Sequence, residues 1–259
     1  METAGTTRQL LQHSRDATSS IPVPFNRSTA LVRWGGDGLA FVGADGIVLV
    51  QSNEILNPTI GPFPSVVNDS PGVRHFDIAM VDLTHHAPTG RLLATTYGDV
   101  EDFGNSVLVI DPQSGSIERA LYSGSGPTVI SQSQDGQALF VALGGESSVT
   151  RLDLNSSELT QFEVGRNDFN GPLFAEDLAA ILGSNHSVAV SLRNVGLSPR
   201  NEGVAVYDGG VKRPAMMFHH GGNNLIEAGA TTLYGSDIET SDRVLRVMSM
   251  VAGRVPRVL

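Results

Sequence analysis

A unit of apolar-alternating stretches parted by Gly- and Asp-bearing turns recurs along this chain, and that recurrence restricts its folds more than any other feature. It is clearest from Asn105 to Leu143, which reads NSVLVIDPQSGSIERALYSGSGPTVISQSQDGQALFVAL. Moving Asp82–Thr95 forward by 95 positions lays it on Asp177–Val190 without a gap, and the apolar positions largely coincide. The outer segment Ser106–Asp111 falls on Ser148–Asp153, and Val204–Asp208 is a third copy. Each unit holds a short apolar strand, a Gly turn, a second strand (LLATT, ALFVAL, VAVSL), a loop, a third strand (SVLVID, SVTRLD, GVAVYD), a turn and a fourth strand (IERALY, LTQFEV). Short β-branched strands with frequent turn signals predict all-β structure. Four strands in about 40–50 residues is the spacing of a propeller blade, whereas a sandwich has no reason to repeat at that period.

The sequence therefore predicts an all-β β-propeller of four-stranded blades. About five blades are expected, near 30–67, 82–125, 126–167, 174–220 and 223–259, the last of them partial. Residues 1–27 read as an N-terminal tail with at most one outer strand, TTRQLLQH. The Pro- and Gly-rich stretch 53–72 reads as a boundary within the ring or an excursion over its face. An incomplete or open ring is expected, and its unpaired blade edges would invite self-association.

Composition removes several function classes. The net charge of −10, with no Lys/Arg-rich run, argues against a phosphate-binding surface and so against nucleic acid. Absence of cysteine excludes disulfides, thiolate metal sites and cysteine nucleophiles. No apolar run approaches the roughly 18–20 residues of a membrane span, and the polar start METAGTTRQLLQHSRDATSS is not a signal peptide.

The 105–143 stretch resembles the YVTN-type, lactonase-like β-propeller repeat. LVRWGGDGLAFVGADGIVLV (31–50), FAEDLAAILGSNHSVAVSLRN (174–194), SPRNEGVAVYDGGVKRP (198–214) and LYGSDIETSDRVLRVMSM (233–250) carry further similarity. The resemblance implies a bacterial secreted or cell-surface propeller of seven or so blades, often attached to Ig-like modules. It therefore implies an extracellular or surface location; without a signal peptide in the sequence, a cytoplasmic one stays open. Two departures stand out: the LVRWG-type blade opens the chain instead of closing the ring, and the blades number about five.

Alignment of the units yields one constellation. The residue opening the innermost strand is Ala30, Asp82, Thr128, Asp177 and, after a one-residue gap, Asn224, with Glu176 beside Asp177. Around a central channel, Asp82, Thr128, Glu176, Asp177 and Asn224 could hold a cation or a polar ligand through hard oxygen donors. Equally, each could cap its own turn or bond backbone within its blade. The pairs His85-His86 and His219-His220, and His75 near Asp77, lack metal-ligand spacing, because neighbours on a strand point to opposite faces. Ser123-Gly124-Ser125-Gly126 is a turn rather than a framed nucleophile. Asp99–Asn105 does not follow the calcium-loop pattern and reads as a hairpin tip. Trp34 reads as packing. Arg193, Arg200 and Glu202 flank NVGLSPRNEG, the most elaborate loop of the repeats, which offers either a contact surface or a salt bridge.

The function expected on these grounds is a non-catalytic binding or scaffold module for a protein or a small polar ligand, with no catalytic residue, metal or cofactor. The alternative is a lactonase-like hydrolase using polar residues at the channel mouth.

Overall fold

The computed structural model describes residues 30–36, 38–43, 46–51, 66–70, 73–76, 78–217, 223–239 and 245–250. They form antiparallel sheets only, with five blades following one another around a common axis. The fold is a five-bladed β-propeller. The second blade (Leu83–His86, Arg91–Thr96, Ser106–Asp111, Ser116–Tyr122), the third (Pro127–Gln132, Ala138–Leu143, Ser148–Asp153, Leu159–Glu163) and the fourth (Phe174–Ala180, Ser187–Arg193, Asn201–Asp208, Val211–Met217) each have four strands in sequential order.

The outer blades depart from the four-strand pattern. The first holds Leu31–Trp34, Gly38–Gly43 and Gly46–Gln51, and then continues past the expected end near 67. Val73–Phe76 pairs with Gly46–Gln51 in the register Ile47↔Phe76, and Val66–Ser70 adds a fifth strand outside it. Part of the stretch expected to be a linker is therefore sheet. The fifth blade has three strands among the described residues, Leu225–Ala228, Thr232–Ser236 and Leu245–Ser249. The expected N-terminal outer strand and the His219-His220 pair lie outside the described residues.

The second strands of blades two, three and four are apolar on both faces because each packs against both neighbouring blades. Leu92 and Ala94 join Trp34, Ile47 and Phe76 between blades one and two. Leu93, on the opposite face, joins Leu139, Val141 and Leu152 between blades two and three. Phe140, Ala142, Val188, Val190 and Tyr207 fill the third junction, and Ala189, Val204, Ile226 and Met248 the fourth. Trp34, 3% exposed, is a packing residue as expected. Tyr207 is fixed there by its hydroxyl, which donates to the Val164 carbonyl at 2.7 Å.

The recurrent aspartates at the ends of the third strands close the turns that follow. Asp111 Oδ1 accepts the backbone N–H groups of Gln113 (2.8 Å) and Ser114 (3.3 Å). Asp153 Oδ1 does the same for Asn155 (3.0 Å) and Ser156 (2.9 Å). Such Asx turns substitute a side-chain oxygen for a backbone acceptor, which is why Asp recurs at this place.

Candidate functional site

Each innermost strand begins beside the axis, and the carboxylates of blades two and four reach from there into the next blade. Asp82 Oδ1 accepts the N–H of Leu83 (2.8 Å), and Oδ2 accepts that of Ile130 in blade three (2.8 Å). Asp177 repeats the arrangement with Leu178 (2.9 Å) and Ile226 of blade five (2.7 Å). A hydroxyl on the adjacent strand completes each clasp. Thr95 Oγ1 donates to the Thr128 carbonyl at 2.7 Å, and Ser191 Oγ to the Asn223 carbonyl at 2.6 Å.

Strand register separates two of the five expected ring members from the aspartates. Asp177 faces Ser191, and Ile130 faces Val141 after a register shift between Pro127 and Ile130. The Thr95 N–H donates to the Asp82 carbonyl (3.0 Å) and the Asp82 N–H to Thr95 Oγ1 (3.1 Å), so the positions equivalent by pairing are Asp82, Ile130 and Asp177. Ile226 takes the fourth place, because Asp177 holds it as Asp82 holds Ile130. Thr128 contributes its carbonyl to Thr95, and its own hydroxyl donates to the Ala142 carbonyl at 3.2 Å. Acidic and apolar residues thus alternate around the axis.

Burial pushes the Asp82 carboxyl up to about 6, against the pull of the two N–H groups it accepts. Burial likewise takes Asp177 to about 7, and the negative charges of Asp82 and Glu227 add to the rise. Among the described residues no group of three or more His, Asp or Glu side chains is placed to hold a metal ion. His85 is held below the usual imidazole range by burial and by its neighbour His86. His86 bonds Thr89 through Nδ1 (2.6 Å) and the Gly136 carbonyl through Nε2 (2.9 Å).

Glu176 and Asn224 are brought together, but in a network that spans loops. Arg200 binds Glu176 Oε1 through Nε at 2.7 Å. Asn224 Nδ2 donates to Glu176 Oε2 (3.0 Å), and its Oδ1 accepts the N–H of Ile238 (3.2 Å). Glu239 accepts the backbone N–H of Arg200 (3.0 Å) and lies 3.5 Å from its guanidinium. Burial would raise the Glu239 carboxyl, but the Arg200 N–H, the Asn224 amide and the Asn201 N–H hold it below its ordinary value.

Glu202 ties two further loops. Its carboxylate accepts the side-chain amides of Asn167 (3.1 Å) and Asn194. On the same face Gly126 N–H donates to Asn105 Oδ1 (2.7 Å), Gly144 N–H to the Gly126 carbonyl (2.6 Å), and Ser147 Oγ to the Gly165 carbonyl (3.3 Å). The connections around 97–105, 123–126, 144–147, 165–173, 194–202 and 237–239 are thereby linked in succession. This linked face exposes Phe169 (96%), Val195 (63%), Leu197 and Ile238. Sequence reading singled out Arg200 and Glu202 but missed Glu239, Thr95 and Ser191. The hydroxyls, 13 and 14 residues beyond Asp82 and Asp177, were the available signal.

The solved structures similar to this chain in fold are unlike it in sequence. The Cps50 (Swd1) β-propeller domain of Myceliophteria thermophila has a TM-score of 0.59 and 16% identity, over 83% of this chain and 67% of that one. The RRP9 WD40 repeats give 0.53 and 13%, over 72% of this chain and 52% of that one. Hydrazine synthase of Kuenenia stuttgartiensis gives 0.52 and 18%, over 68% and 48%. The fold is WD40-like. The chain spans about half the length of several of these neighbours. No protein-family model and no curated protein matches, so the YVTN-type resemblance rests on the repeat residues alone.

Proposed function

We propose that the chain is a non-catalytic propeller module that binds protein partners through its linked loop face. The observation that carries this reading is the succession of hydrogen bonds that fixes those loops while leaving Phe169, Val195 and Leu197 exposed. Loops held on a rigid scaffold are where binding residues concentrate, and preordered loops lose little entropy on docking. The WD40-type neighbours fit a binding or scaffold role. The acidic balance favours protein over nucleic acid. Placement in a bacterial surface or secreted protein rests on the repeat resemblance.

The lactonase-like alternative has less support, because Asp82 and Asp177 already accept backbone N–H groups with both oxygens. With a lactone panel and added divalent cations, the chain is expected to leave hydrolysis at the buffer rate. Turnover lost in Asp177→Asn would sink the non-catalytic reading.

Self-association belongs to the same proposal. Leu31 on the first blade and Leu225 and Leu245 on the fifth are exposed, and exposed apolar sheet edges favour association. Sedimentation is expected to show a concentration-dependent coefficient, and an invariant monomer value would remove this part.

A further inference from the structure

The loop face carries a groove of about 550 Å³ beside the Arg166–Pro172 hairpin, lined by Glu146, Ser147, Ser148, Gln161, Glu163 and Arg166 among others. Phe169 stands at the hairpin tip, 96% exposed. It is held there and does not trail into solvent on a loose loop. Asn167 Oδ1 accepts the N–H groups of Phe169 (2.9 Å) and Asn170 (3.2 Å), and Asn167 Nδ2 donates to Glu202 (3.1 Å). Ser147 and the Leu173 N–H both bond the Gly165 carbonyl at the hairpin base. A large apolar side chain presented on a fixed stem is the form of an interface anchor.

The charge around this anchor has one sign in excess. Glu146 is oriented by Gln161 Nε2 (2.5 Å) and the Ser125 N–H (3.3 Å). Among the described residues the carboxylates of Glu163 and Asp168 have no hydrogen-bond or ion-pair partner. Arg166 is the single cation lining the groove. Asp99, Glu101 and Asp102 add acidic side chains to the 97–105 connection of the same face, with no ion pair among the described residues.

We propose, resting on the protein-binding reading above, that this groove seats a basic protein segment. One Lys or Arg lies between Glu146 and Glu163, and an adjacent apolar residue packs on Phe169. Charge complementarity of this kind sets orientation and partner choice, while the aromatic contact supplies most of the affinity.

The test is selection of a displayed random-peptide library on the full chain, followed by binding of the enriched synthetic peptides by fluorescence anisotropy. Enriched peptides are expected to carry Arg or Lys beside an aliphatic or aromatic residue and to bind more weakly as salt rises. Phe169→Ser and Glu163→Lys, both exposed and both expected to melt like wild type, should each weaken binding by about tenfold or more. Enriched peptides without basic residues, or affinities unchanged in both variants, would overturn the proposal. Peptides insensitive to these variants but lost on Val195→Ser would overturn it while leaving the binding-module reading in place. No enrichment at all would overturn both.

Discussion

Asp177→Ala is expected to lower the melting temperature substantially at pH 5 and much less at pH 8. The substitution strands the N–H groups of Leu178 and Ile226, which the carboxyl now accepts at 2.9 and 2.7 Å. Each buried donor left unsatisfied costs about 1–3 kcal/mol. A loss of about 3 kcal/mol corresponds to roughly 6–12 °C in a domain of this size. At pH 8 the wild type must keep this carboxylate charged in a buried place, and removing that charge offsets part of the loss. Thermal melts of both proteins across the two pH values measure the difference. Were Asp177 a vacant ligand group and not a clasp, its removal would stabilise the fold throughout.

The sign of the wild-type pH dependence follows from the raised carboxyls. Asp82 at about 6 and Asp177 at about 7 bind protons more tightly in the folded chain than in the unfolded one. Their contribution is fully present below the unfolded carboxylate value, near 4, and is lost as pH rises through 6 to 7. After allowance for partial solvent access the loss is about 2 kcal/mol for each aspartate. The double variant Asp82→Ala/Asp177→Ala should flatten this slope, and an unchanged slope would assign it to other acids.

Much of the fold was legible because the repeat is physical at the level of single residues. Asp111 and Asp153 stand at turns that need a side-chain acceptor. Leu92 and Leu93 are both apolar because a central blade strand has no solvent face. The axial ring was legible only in part. Gapless alignment put Thr128 on Asp82, but the register shift between Pro127 and Ile130 moves the equivalence to Ile130. A bulge changes which residue faces the axis without changing the apolar pattern that guided the alignment. On the loop face Arg200 and Glu202 stood out in the sequence, but their partners were hidden for a different reason. Arg200 meets Glu176 across 24 residues, and Glu239 meets Arg200 across 39, contacts that only the ring geometry creates. The alternation of Asp and Ile around the axis then makes sense of the two strong repeats at 82 and 177. Each aspartate needs a neighbour that offers an N–H and no competing charge.

Gly203→Ala is expected to be among the most damaging single substitutions. Gly203 sits in the Asn201–Asp208 strand at φ +121°, a left-handed conformation that side chains rarely adopt. An added Cβ would lie 2.1 Å from the Met217 carbonyl oxygen, a backbone atom that can yield only by breaking strand pairing. The adjacent residues show what the close approach serves. The Gly203 N–H donates to Asn201 Oδ1 (3.2 Å), Asn201 Nδ2 donates to the clasp hydroxyl Ser191 Oγ (3.0 Å), and Glu202 ties the loops carrying Asn167 and Asn194. Backbone strain and overpacking together give a loss of about 3 kcal/mol or more. Denaturant melts should show a lowered midpoint, and peptide binding on the loop face should fall with it, because Glu202 shifts when the strand does. A variant that keeps the wild-type midpoint would mean the Met217 strand moves freely, and the clasp between blades four and five would then not depend on this close approach.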